Sequence, residues 1–190
     1  MVGALFVAIQ SSQMNVRDVW RSFHGEQVPL AYLLRQQILE RWLRIHSLPE
    51  SKRYPDNESE MQEVLHRDNA VANEVLGEGA SCLWFVPDTA LQRKSSTFGA
   101  FEGDWFCDYR KGARITLFVA FTTWRSGGFD SILRLVADDV VAYVLWMNVH
   151  TGEIFAPYDG GADLFLSSSQ RRDELRQIYE SWLSKHPQGF

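Results

Sequence analysis

The order of periodicities along the chain predicts an α+β fold: a single domain with a mainly antiparallel β-sheet and helices packed on it. Three observations carry this. Helical spacing and strand-like segments succeed one another as α-α-β-α-β-β-β-α-β-β-β-α, with strands grouped rather than alternating singly with helices. Two segments, Arg114–Trp124 and Val140–Asn148, are apolar on both faces, as strands covered on two sides must be. Finally, 190 residues with 45% hydrophobic content and seven Trp suit one core.

Taken in order, Val16 to Phe23 forms a short helix that stops at His24-Gly25. Pro29 suits a first helical turn, and Leu30, Leu33, Leu34, Ile38 and Trp42 give residues 29–41 an amphipathic helical face. Around 41–48 the period changes to that of a strand. Leu43, Ile45 and Ser47 point one way and Arg44, His46 and Leu48 the other, until Pro49 removes a donor from the ladder. Asp56 or Asn57 caps a long helix whose face of Met61, Val64, Leu65, Val71, Ala72, Val75 and Leu76 runs to Gly77.

Strands follow at Ser81–Val86, Phe101–Tyr109 and Arg114–Trp124, with a polar loop over 91–99 and a Lys111-Gly112 turn between them. Phe129, Ile132, Leu133 and Val136 mark a short helix ending near Asp138-Asp139. Val140–Asn148 is then a strand joined to Ile154–Tyr158 through the His150–Glu153 turn, and Leu164–Leu166 is the last strand. Ser167 to Ser169 caps a final helix to about Lys185, whose face of Leu175, Ile178, Tyr179, Trp182 and Leu183 packs on the sheet.

A formal net charge of -5, with no basic tail or arm, gives no field for nucleic acid. The run Met1–Ile9 is too short to span a membrane, which takes about 20 apolar residues, and it lacks the basic start and cleavage site of a secretion signal. Residues 1–13 are read as an extension from a mis-assigned start, in preference to a real strand or a weak secretion signal, leaving 14–190 as the domain. Cys82 and Cys107 fit no metal or redox spacing and are read as reduced core thiols of a cytoplasmic protein, in preference to a disulfide.

Polar residues that could carry chemistry gather in three places. Between two prolines, Arg44, His46, Ser47, Glu50, Lys52, Arg53 and Tyr54 combine anion-gripping cations with an imidazole that titrates near neutrality, so His46 is the one candidate acid or base. The competing reading is a structural corner whose cations pair with acids. In Tyr158-Asp-Gly-Gly-Ala-Asp163, Asp159 and Asp163 could hold a hard cation, or free N–H groups of the glycine turn an anion, or the stretch is a simple turn. Asp138-Asp139 offers one carboxylate, Asp139 among the candidates, to Arg44 or Arg53 as a buried ion pair. No zinc spacing, nucleophile elbow or dinucleotide-binding glycine pattern occurs, no catalytic residue or metal ligand is assigned, and no cofactor is expected.

At Arg-Ile-His-Ser-Leu-Pro-Glu-Ser-Lys-Arg-Tyr-Pro (44–55), at Leu133–Ala142 and at Tyr-Asp-Gly-Gly-Ala-Asp (158–163), the chain resembles a family of small, functionally uncharacterised bacterial proteins. The resemblance runs from about Trp20 to Leu183. It implies a bacterial cytosolic α+β domain and brings no reaction with it. At fold level the chain is also similar to immunity-type proteins that neutralise toxins.

The expected function is therefore a non-catalytic bacterial binding protein with a protein partner, the immunity-like partner of a toxin being its specific form. An acidic balance suits a basic partner, and abundant Trp and Tyr suit an interface. Two alternatives use the same residues. One is a hydrolase or phosphoryl-processing enzyme with His46 as acid/base, and the other a small-anion sensor built on Arg44, Lys52 and Arg53. Neither nucleic acid nor membrane is an expected partner, and no oligomeric state is implied.

Overall fold

The computed structural model describes residues 15–87, 103–108 and 114–184. The N-terminal extension, the 91–99 loop and the Lys111-Gly112 turn lie outside the described residues. The helices are α1 (Val16–His24), α2 (Ala31–Gln37), α3 (Glu58–Leu76), α4 (Asp130–Ala137) and α5 (Ser169–Ile178). The strands are β1 (Trp42–His46), β2 (Ser81–Pro87), β3 (Gly103–Asp108), β4 (Arg114–Thr123), β5 (Leu145–Asn148), β6 (Ile154–Tyr158) and β7 (Gly161–Phe165). They form one sheet in the order β1-β7-β6-β5-β2-β4-β3, every neighbouring pair antiparallel. The α+β class and the succession of elements are those the periodicities predict.

Local chemistry sets the helix ends. Asn15 accepts from Arg17 N (2.9 Å), Asn57 from Glu60 N (3.0 Å) and Ser168 from Arg171 N (3.1 Å), each side chain satisfying a donor the first turn leaves open. Gly77 closes α3 at φ 86°, a conformation that costs residues with a Cβ more.

The sheet buries both faces because its strands alternate two apolar sets. One set, with Leu43, Ile45, Trp84, Trp146, Phe155 and Leu164, packs under α3, α4 and α5. There Trp84 stacks on Trp146 at 5.8 Å and Trp124 on Phe129 at 5.3 Å. The other set, with Trp42, Phe85, Leu145, Ile154 and Phe165, packs against Val19 and Trp20 of α1 and Leu34 of α2. Each fully buried large apolar side chain contributes about 1.5–3 kcal/mol, so this double burial is the main stabilising term. Helix α1 is also pinned at its end. His24 Nε2 lies 2.9 Å from the Gly152 carbonyl in the β5–β6 turn, and the Phe23 ring occupies the space a Cβ at Gly152 would need.

Four elements differ from expectation. The 29–41 helix breaks at Ile38 (φ -129°, ψ 44°) into α2 and a 3-10 turn, because Ile38 and Trp42 must both reach the core that holds Phe165 while Trp42 starts a strand. The Val140–Asn148 strand is confined to β5. Residues 139–144 leave the ladder, with Asp139 at φ 54° and Tyr143 at φ 62°, and Val141 and Val144 are buried by this bend instead of by a ladder. The last strand starts earlier, at Gly161, so Asp159-Gly160 is the two-residue turn of a β6–β7 hairpin. The final helix ends at Ile178 and is followed by a 3-10 turn over Glu180–Trp182. Leu175, Tyr179, Trp182 and Leu183 pack on the core, whereas Ile178 is 62% exposed.

Candidate functional site

Strand β1 alternates Leu43 and Ile45, directed into the core beneath α3, with Trp42, Arg44 and His46 on the other face. The register sets Arg44 opposite Asp163 of β7, and Asp163 opposite Ala156 of β6. A carboxylate this deep, with a side chain 6% exposed, needs its charge and lone pairs matched. Arg44 does so with two parallel bonds, Nε to Oδ1 at 2.8 Å and Nη2 to Oδ2 at 3.0 Å, and Trp42 Nε1 donates to Oδ1 at 2.8 Å. The guanidinium lies 4.6 Å from the Tyr158 ring centroid and 5.4 Å from that of Trp42. Burial opposes the charge of Arg44, but the Asp163 contact outweighs it and raises its pKa above the usual arginine value. Burial likewise pushes the Tyr158 phenol up, keeping it neutral.

The second pair stands at the β6–β7 turn. Arg53 donates to Asp159 through Nε (2.7 Å to Oδ2) and Nη2 (3.0 Å to Oδ1), and Tyr54 donates its hydroxyl to Oδ2 at 2.7 Å. Arg53 is 64% exposed, so this contact is weaker in water than its geometry suggests. Lys52 stands apart from both pairs and bonds Asp56 and Glu60 at the start of α3. The turn places its glycines by close approach. A Cβ on Gly161 would overlap the carbonyl oxygen of Ile45 in β1, and neither Gly160 nor Gly161 needs a left-handed φ. Asp159 bonds Arg53 and Tyr54 in place of its own backbone.

The two pairs line one cavity of about 510 Å³, bounded by α2, the 139–145 connection and residues of β1, β6 and β7. That volume is in the range of small-ligand sites. Tyr32 and Arg35 come from α2, and Asp139 and Tyr143 from the connection. Among the described residues four that are not glycine have left-handed backbones: Glu50, Ser51, Asp139 and Tyr143. Ser51, Asp139 and Tyr143 line this cavity, each conformation costing about 1–2 kcal/mol that the surroundings must supply.

His46 lies in the same wall and also borders a second cavity, of about 230 Å³, beside Leu48 and Trp182. Burial, then the positive charge of Arg44, lowers its pKa against the raising effect of a hydrogen bond to the Gly160 backbone, so the imidazole is neutral at pH 7. Its Nε2 is enclosed, with no hydrogen-bond partner among the described residues. Asp139 is exposed and makes no ion pair among the described residues, in contrast to the buried pair expected of it. Arg44, His46, Arg53, Tyr158, Asp159, Asp163 and Asp139 are thus brought to one cavity, Tyr54 joins them through Asp159, and Lys52 does not. Among the described residues no group of three or more His, Cys, Asp or Glu is placed to hold a metal ion.

The sequence reading did not single out Tyr32, Arg35 or Tyr143, which carry no motif, nor Asp68. Asp68 is buried in α3, accepts from Ser47 Oγ at 2.8 Å, and is pushed by burial up to about 7. Its signal was present in the helical stripe, where it takes the turn between Leu65 and Val71 as the one acid on a buried apolar face. Next to it, Arg67 donates to the His46 carbonyl at 3.3 Å and lies over Trp182.

The model of one protein family, described as a domain of unknown function (DUF3885), matches residues 30–187, a span that includes every cavity residue named here. No curated protein and no solved structure matches the chain. Among the described residues no helix is long and apolar enough to cross a membrane.

Proposed function

The chain belongs to the DUF3885 family, and from that premise we propose that it is a non-catalytic binding protein whose cavity receives a group from a protein partner. One observation carries the reading: both arginine–aspartate pairs of the cavity wall are closed, so the wall offers a shaped, largely neutralised surface in place of a reactive one. Around it stand Tyr54, Val140 and Tyr143, three of the exposed large apolar side chains, and exposed aromatic groups beside a concavity are the usual material of an interface. The net charge of -5 favours a basic partner, and a bacterial toxin neutralised in the cytoplasm is the specific form of that partner.

The hydrolase reading has one point in its favour, a neutral His46 poised as a base. A metal on Asp159 and Asp163 would nevertheless have to displace two arginines, and an anion held by Arg44 or Arg53 would compete with the same carboxylates. Co-expression with the product of the neighbouring gene, followed by calorimetry on the purified proteins, tests the proposal. Binding at micromolar concentration is expected, and Ala142→Trp, which fills the cavity from an exposed position, weakens it at least tenfold. No binding, or equal binding by the variant, refutes the reading, and His46-dependent turnover of a phosphoester would replace it with the enzyme.

A further inference from the structure

Resting on that reading, the geometry points to the group the cavity receives: a cationic side chain of the partner, lysine or arginine, held by Asp139 against the paired rings of Tyr32 and Tyr143. Two of the three carboxylates in the wall are spent, Asp163 on Arg44 and Asp159 on Arg53, each through two bonds. Asp139 is the one left over. Its exposed carboxylate has no hydrogen bond and no ion pair among the described residues, and Arg53 acts on it only through space.

The backbone sets this residue at the cavity rim. Asp139 lies two residues past α4 at φ 54°, and Tyr143, four residues on, lies at φ 62°. These two left-handed residues bracket the connection that forms the cavity rim. The Tyr143 ring stands 6.2 Å from that of Tyr32 with the planes inclined at 58°. An alkyl stem or a guanidinium plane can lie against such faces while its charged end meets a carboxylate. The other cations of the wall are directed onto protein groups, Arg35 over Trp42 at 5.4 Å and Arg44 over Tyr158 at 4.6 Å. Other occupants fit less well. A neutral ring leaves Asp139 unmatched, and an anion meets two guanidinium groups already held by carboxylates, Arg44 and Arg53, and a third, Arg35, packed over Trp42. The overall charge of -5 steers a basic partner toward the molecule.

The test titrates the full chain, by calorimetry and by amide chemical shifts, with N-acetyl-arginine amide, N-acetyl-lysine amide, the uncharged N-acetyl-citrulline amide and inorganic phosphate. The cationic amides are expected to bind at least fivefold tighter than the citrulline compound, with shifts at 139–145, and to weaken as salt is raised. Asp139→Asn removes the charge while keeping a residue that tolerates a left-handed backbone, so the fold is retained and the fivefold preference disappears. Equal binding of the citrulline compound, indifference to Asp139→Asn, preferential binding of phosphate, or binding by none of the four overturns the inference. Its failure is separable from that of the wider reading. A partner whose binding is lost in Ala142→Trp but unchanged in Asp139→Asn leaves the binding function standing and removes only the cationic anchor.

Discussion

Arg44 and Asp163 show how a polar pair can be both structural and a wall of the site. Their bonds are short and parallel, both side chains are largely buried, and Trp42 adds a third donor to the same carboxylate. Removing one partner of such a pair leaves an uncompensated buried charge, which costs about 3–5 kcal/mol. Asp163→Asn is therefore expected to lower the unfolding free energy measured by chemical denaturation by that amount, whereas Arg44→Met with Asp163→Leu costs much less than either single change. Equal losses for single and double variants would show that the ion pair itself, and not the stranded charge, dominates. Asp68 gives a pH prediction. Its pKa is raised from 3.8 to about 7 by burial, so the folded state holds its proton more tightly than the unfolded chain does. The resulting stability is fully present below pH 4 and is lost as pH rises to 7, at roughly 1.4 kcal/mol per unit. Asp68→Asn removes that slope, so the variant should match the parent at pH 4 and exceed it at pH 8; coincident stability curves would count against it.

At the scale of elements, the 44–55 stretch reads from sequence as a strand-to-helix corner whose cations need acidic partners. Arg44 and Arg53 do meet acids from the 159–163 segment. The 138–139 acids do not join them, because the chain there leaves the sheet. That bend was illegible in the pattern: Val140, Val141, Val144 and Leu145 look like strand residues burying two faces, and only the left-handed Asp139 and Tyr143, neither a glycine, create it. Periodicity reports what is buried, and a bend can bury the same residues as a ladder. A turn at Asp159-Gly160 was legible in its residues, though not that the strand resumes at Gly161 to make a hairpin, nor the reason for the second glycine. Gly161→Ala should drive β1 away from β7, with a loss of at least 3 kcal/mol measured by chemical denaturation, because the obstacle is the Ile45 backbone and no rotamer can relieve it. A loss below 1 kcal/mol would mean that the strands separate easily there.

For the whole molecule, the class and succession of elements were readable because each apolar period is long enough to name its element. Strand order was not. Nothing local marks β1 as the neighbour of β7, or β2 as the strand between β5 and β4. The cavity inherits that limit, since its residues come from α2, β1, the 139–145 connection and the β6–β7 turn, and only the sheet order assembles them.

That order has a consequence in time. Strand β1 precedes its partner by well over half the chain, Arg44 and Asp163 being 119 positions apart. A closure of that length is slow to find and unrewarded until made, so it belongs late in folding. During synthesis, the first wall of the cavity exists long before the second has been translated. A partner that reads the whole cavity thus reads a finished molecule, because a truncated chain ending before β7 lacks the Asp163 wall against which Arg44 is set.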